Sequence, residues 1–96
     1  MRTVVEEPTV TEFIDQKAEQ NPRLRDRFRG LKWVLSRNPD HKAAEPVPES
    51  EAKFGEQLYL IKTASLNVDD AGPPLRLMYY FDESEVVFWG ISFGHT

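Results

Sequence analysis

Lys62 and Arg76 are the residues of this 96-residue chain best placed for chemistry on a phosphate. Each interrupts an apolar run of strand length, Leu58-Tyr59-Leu60-Ile61-Lys62-Thr63 in one case and Leu75-Arg76-Leu77-Met78-Tyr79-Tyr80-Phe81 in the other. A third run, Val86-Val87-Phe88-Trp89-Gly90-Ile91-Ser92-Phe93, follows, and Asp, Gly, Pro and Ser clusters bound all three, which is the pattern of a β-meander. Side chains alternate across a strand, so Lys62, Arg76 and Tyr80 fall on one face with Leu60, Met78, Val86, Phe88, Gly90 and Ser92. An arginine fork, a lysine point charge and a phenol suit a phosphate. Gly90 and Ser92 would allow close approach, and Phe88 and Tyr80 could stack a base. The opposite set, Tyr59, Ile61, Leu75, Leu77, Tyr79 and Phe81 with Val87, Trp89, Ile91 and Phe93, is assigned to the core. The plainer alternative makes Lys62 and Arg76 solvated strand residues paired with Glu56 or Asp82.

The elements that must position these residues begin with a short strand from Arg2 to Glu6, stopped by Pro8. Thr9-Val10-Thr11-Glu12 reads as a capping box, and Val10, Phe13, Ile14 and Ala18 continue a helix to about Gln20. Asn21-Pro22 restarts the chain, with Asn21 as N-cap of a second helix. Its core stripe is Leu24, Phe28, Leu31 and Leu35, and Asn38-Pro39 ends it. Residues 40–55, rich in Ala, Glu, Pro and Lys, read as a mobile loop, and Asn67 to Pro74 as a second loop. Asp82-Glu83-Ser84-Glu85 is short enough to make the last two strands an antiparallel hairpin. The expected fold is α+β: one domain spanning 1–96, with a short N-terminal strand and a two-helix hairpin packed on one face of a small antiparallel sheet.

Charge is unevenly distributed. The net charge is −4, which taken alone disfavours nucleic acid, yet Pro22 to Arg37 carries six basic residues against Asp26. On that helix Arg29, Trp33 and Arg37 form a row at i, i+4, i+8 opposite the core stripe. Trp33 either packs beneath the following loop or, with the two arginines, forms a partner-binding ridge. With no cysteine, disulfides and thiol catalysis are excluded. No run approaches the ~18 apolar residues of a membrane span, so a cytoplasmic protein without membrane partner is expected. Neither a cofactor nor a metal site is expected.

The order strand, helix, helix, meander, with the segments Leu31-Lys32-Trp33-Val34-Leu35-Ser36-Arg37-Asn38-Pro39, Leu58 to Thr63, Leu75 to Phe81 and Val86 to Gly94, resembles the RelE/ParE superfamily of bacterial type II toxins. The resemblance covers most of the chain. It implies a ribosome-dependent endoribonuclease that inhibits translation by cutting mRNA and is held inactive by a cognate antitoxin. For the ParE branch it implies instead a gyrase inhibitor without a nuclease site. A further alternative is a protein-binding domain with a degenerate site. Arg76 matches the family's phosphate-binding arginine and Lys62 one of its two strand lysines, while Leu60 holds the place of the other. The resemblance offers His95, or Tyr80, as the proton donor, and Phe88 and Ser92 line the implied substrate face. The family usually continues with basic residues where this sequence ends at His95-Thr96.

Overall fold

The computed structural model describes residues 1–48, 57–63 and 74–94. The order is β1 (Thr3–Glu6), α1 (Pro8–Lys17), α2 (Leu24–Arg37), β2 (Glu45–Pro46), β3 (Tyr59–Lys62), β4 (Leu75–Phe81) and β5 (Glu85–Phe93). The strands form one sheet in the order β1-β5-β4-β3-β2. Its β3-β4-β5 meander is antiparallel, as is β2 on β3, but β1 runs parallel to β5, so the sheet is mixed rather than antiparallel. Alternation along one strand reports which side chains share a face; it carries no information on the direction of the neighbouring strand.

Both helices pack on the same face. Val10 and Ile14 of α1 and Leu24, Phe28, Leu31 and Leu35 of α2 share one core with Ile61, Leu75, Leu77, Tyr79, Val86 and Phe88. The Phe28 ring meets Phe88 edge-on at 5.7 Å, and Phe13 lies 5.1 Å from Phe93. Tyr59, Tyr79 and Phe81 stack along neighbouring strands. The Tyr79 hydroxyl donates to the Pro39 carbonyl and so ties the segment after α2 to the middle of the sheet. Burial, with lesser contributions from Tyr59 and Asp40, pushes that phenol well above the usual tyrosine range and keeps it a neutral donor.

The helix ends differ from expectation. Helix α1 starts at Pro8 with Glu7 as N-cap and no side-chain cap, so Thr9 lies inside the first turn and no capping box forms. Thr11 bonds instead to Glu6 at 3.1 Å. Pro8, expected to stop a strand, also starts the helix, because its fixed φ and missing N–H suit a first turn. Asn21 does not cap α2; its amide donates to the Lys17 carbonyl at 2.8 Å, closing the end of α1, and α2 begins at Leu24 after Arg23. Part of the expected 40–55 loop is the two-residue edge strand β2, held by Val47 N–H to the Leu58 carbonyl at 2.8 Å and bracketed by the Gln57 amide. Residues 49–55 of that loop, and 67–73 of the second one, lie outside the described residues.

The 82–85 connection is a tight hairpin turn. The Asp82 carboxylate accepts from the Glu85 and Ser84 amides and the Ser84 hydroxyl, and these bonds lower its pKa. Further along, the β4–β5 ladder slips. Met78 faces Gly90 but Tyr79 faces Phe88, so the register passes over Trp89. One extra residue reverses the alternation on β5. Ile91 and Phe93 face the core as expected, but beyond the bulge Val86 and Phe88 turn inward. Val87 joins Tyr80 on the other side. Phe88, expected on the open face as a base-stacking residue, is instead fully buried. This face assignment predicts that Phe88→Ala lowers stability by ~3–5 kcal/mol, as core aromatic truncations do. Ser92→Ala should stay within about 0.5 kcal/mol, as surface changes do; urea denaturation of both variants checks it.

Candidate functional site

Among the described residues no helix covers the second face of the sheet. Strand β3 contributes Leu60 and Lys62 to it, β4 contributes Arg76, Met78 and Tyr80, and β5 contributes Gly90 and Ser92. Lys62 stands directly opposite Arg76, and Arg76 directly opposite Ser92. Side chains so placed start about 5 Å apart, within reach of one bound anion. Leu60, Arg76, Met78, Gly90 and Ser92 line a shallow open depression of about 210 Å³. Its floor is apolar and its end is cationic.

Register at this end is fixed by the residue after Lys62. The Thr63 hydroxyl, buried, accepts the Leu75 amide at 2.8 Å and the Arg27 guanidinium at 3.4 Å. It thus clips the start of β4 to the end of β3 and both to α2, and holds Arg76 across from Lys62. No motif in the sequence marks Thr63; its one signal there is a hydroxyl closing an otherwise apolar strand. Met78 lies between Arg76 and Tyr80 on the same face.

The other candidates separate. Tyr80 is four residues along β4 from Arg76, about 13 Å by strand rise, and lines a different depression with Asp82, Glu85 and Val87. It does not converge with the two cations. Ser92 is on the face, beside Arg76. His95 and Glu56 lie outside the described residues. Asp82 is engaged in its own turn, and among the described residues neither Lys62 nor Arg76 forms an ion pair with a carboxylate.

Trp33 is exposed on α2, with 60% of its surface accessible, so it does not pack beneath the chain that follows among the described residues. The Arg37 guanidinium lies 4.2 Å over the indole and also donates to the Trp33 carbonyl at 3.3 Å. Arg29 pairs with Asp26 at 3.3 Å, and both are largely exposed. The ridge therefore exists as a solvent-facing row. A larger depression, of about 260 Å³, runs between α1, α2 and the end of β1. Its charges are satisfied within the fold: Arg25 by Asp15 and Lys32 by Glu6, each at 3.2 Å, with the Lys32 ammonium also 5.0 Å above the Phe28 ring.

No group of His, Asp or Glu among the described residues is arranged to hold a metal ion, and no helix there is long and apolar enough to cross a membrane. The arrangement on the open face can bind and neutralise an anion, with apolar surface beside it. Two cations directly opposite each other repel when the site is empty. Lys62→Gln should accordingly raise stability by about 0.2–1 kcal/mol at low ionic strength. The gain should fade near 1 M salt, where the Debye length is about 3 Å; urea melts at the two ionic strengths measure it. Comparison with family models, with curated proteins and with solved structures returned no match to this chain.

Proposed function

We propose that this chain is a RelE-like toxin of a type II toxin–antitoxin module, which inhibits translation by cutting mRNA at the ribosome. The observation that carries this reading is the Lys62–Arg76 pair, set side by side, with Ser92 adjoining, on a sheet face that no helix covers among the described residues. Cleavage by a ribose 2′-hydroxyl needs that hydroxyl deprotonated, the departing 5′-oxygen protonated, and the charge added at phosphorus stabilised. Arg76 would grip the phosphate oxygens as a fork, and Lys62 would stand beside the attacking oxygen, either as the base that takes the 2′-hydroxyl proton or as a second cation while a ribosomal group takes it. Leu60, Met78 and Gly90 would lie under the neighbouring nucleotide. The proton donor falls to His95 or is supplied by the ribosome; Tyr80 is too far along β4 to protonate a group held at Arg76. A cognate antitoxin completes the proposed module.

Controlled expression of the wild type and of Lys62→Ala/Arg76→Ala, with growth and mRNA 5′ ends followed together, tests this. Growth arrest with new mRNA ends, both lost in the double variant, is the expected result. Arrest that persists unchanged in the double variant would remove this face as the site.

A second reading is a non-enzymatic relative, either a ParE-like gyrase inhibitor or a protein-binding domain, that acts through α2. Trp33 favours it: an exposed indole clamped by an arginine is the composition of interface anchors. Gly30, one turn away, would place a methyl in open space, so packing within the fold does not call for a glycine there. Leu60 in place of a second strand lysine points the same way. In this case arrest would occur without new mRNA ends, and Trp33→Ala should cost at least about 2 kcal/mol of affinity for the protein partner, the scale of an interface hot spot. Calorimetry with the purified partner would measure that loss, and full affinity would rule the ridge out.

A further inference from the structure

We propose that Gly94 is a positioning residue for Arg76: its missing side chain leaves the channel in which the arginine stem lies, and so sets where the guanidinium stands on the open face. This rests on the reading of that face as a phosphate site. Arg76 and Ser92 are direct register partners, so Gly94, two residues further on the same strand line, sits diagonally beside Arg76 on the same face. A methyl built on Gly94 would stand 2.8 Å from Arg76 Cγ and 3.1 Å from Cδ. Carbon atoms pack at about 3.5–4.0 Å, so the arginine stem would have to move aside.

The collision falls on the arginine stem, at Cγ and Cδ, where a shift of the tip alone gives no relief. Arg76 must turn about its first side-chain bonds, and that turn moves the guanidinium. Nor can the glycine recede, because its N–H donates to the Pro74 carbonyl at 2.6 Å and holds the end of β5 against the start of β4. Its backbone lies outside the left-handed region, so alanine there carries no strain of its own, and any effect comes through Arg76. Gly90, the other described glycine on this face, would place a methyl in open space and constrains no neighbour.

The test is a double-mutant cycle read by binding of a short labelled single-stranded RNA, with melting temperatures recorded for each protein. Arg76→Ala should weaken binding about tenfold, the loss of one charge-assisted contact. Gly94→Ala, which removes no charge, should weaken it about threefold or more through the displaced guanidinium. Added to Arg76→Ala, the glycine substitution should change nothing further. The Arg76 Nε–H resonance should move in Gly94→Ala while the melting temperature holds. Wild-type binding by Arg76→Ala would overturn the phosphate-site reading itself. Weakened binding by Arg76→Ala with wild-type binding by Gly94→Ala would overturn only the positioning role. So would an equal loss from Gly94→Ala in both backgrounds, because that would be a structural effect independent of Arg76.

Discussion

The register slip between β4 and β5, where the pairing passes over Trp89, is the constraint on which the side-chain faces of this sheet depend. Without the slip, one alternation would run from Val86 to Phe93 and send Phe88 outward. With it, Phe88 reaches the Phe28 ring and Val86 joins the core, while Gly90 and Ser92 remain outside next to Met78 and Arg76. A single added residue thus seats the α2 aromatic against the sheet, while the unshifted register beyond it keeps Gly90 and Ser92 on the face of Met78 and Arg76.

Around that pivot the fold is held by a few long-range ties rather than by capped helices. Tyr79 reaches the Pro39 carbonyl, Thr63 collects the Leu75 amide and Arg27, and the Lys32 ammonium bonds to Glu6. Arg2 bonds to the Asp82 carbonyl at 2.6 Å and lies over Phe81, which closes β1 onto the turn of the hairpin. These ties explain why neither helix shows a side-chain N-cap. The orphan amides of a helix start can be served by backbone, as the Glu7 N–H is by the Phe88 carbonyl and the Val10 N–H by the Glu7 carbonyl, when tertiary packing already fixes the chain's path.

The charge distribution follows the two layers. On the helical side, cations of α2 meet carboxylates within the fold, and surface pairs of this kind add little to stability. On the open face Lys62 and Arg76 face one another across the ladder. Two like charges held in register are tolerated at some cost to the empty protein, which is the condition expected of a site that an anion completes. Trp33 and Arg37 mark a separate surface on the opposite side of the molecule's helical layer, and the two need not serve the same partner.

Periodicity in the sequence determined the two helices, the three meander strands and the α2 core stripe, because each depends on a repeat that a short window contains, and the short Asp82 to Glu85 connection determined the pairing of β4 with β5. It also placed Leu60, Lys62 and Arg76 on one face, since β3 and the first half of β4 keep an unbroken period of two. Only the tertiary structure decided the rest. Val86, Val87, Phe88 and Trp89 are all apolar, so no alternation within that run can reveal a bulge or choose between Phe88 and Trp89 for the core. Thr9 and Asn21 have the right chemistry for caps, yet the ends of α1 and α2 were set by packing and by Glu7 and Lys17 carbonyls nearby. The direction of β1 and the pairing of β2 arise from contacts between residues far apart in the chain, and those contacts leave no periodic trace in it.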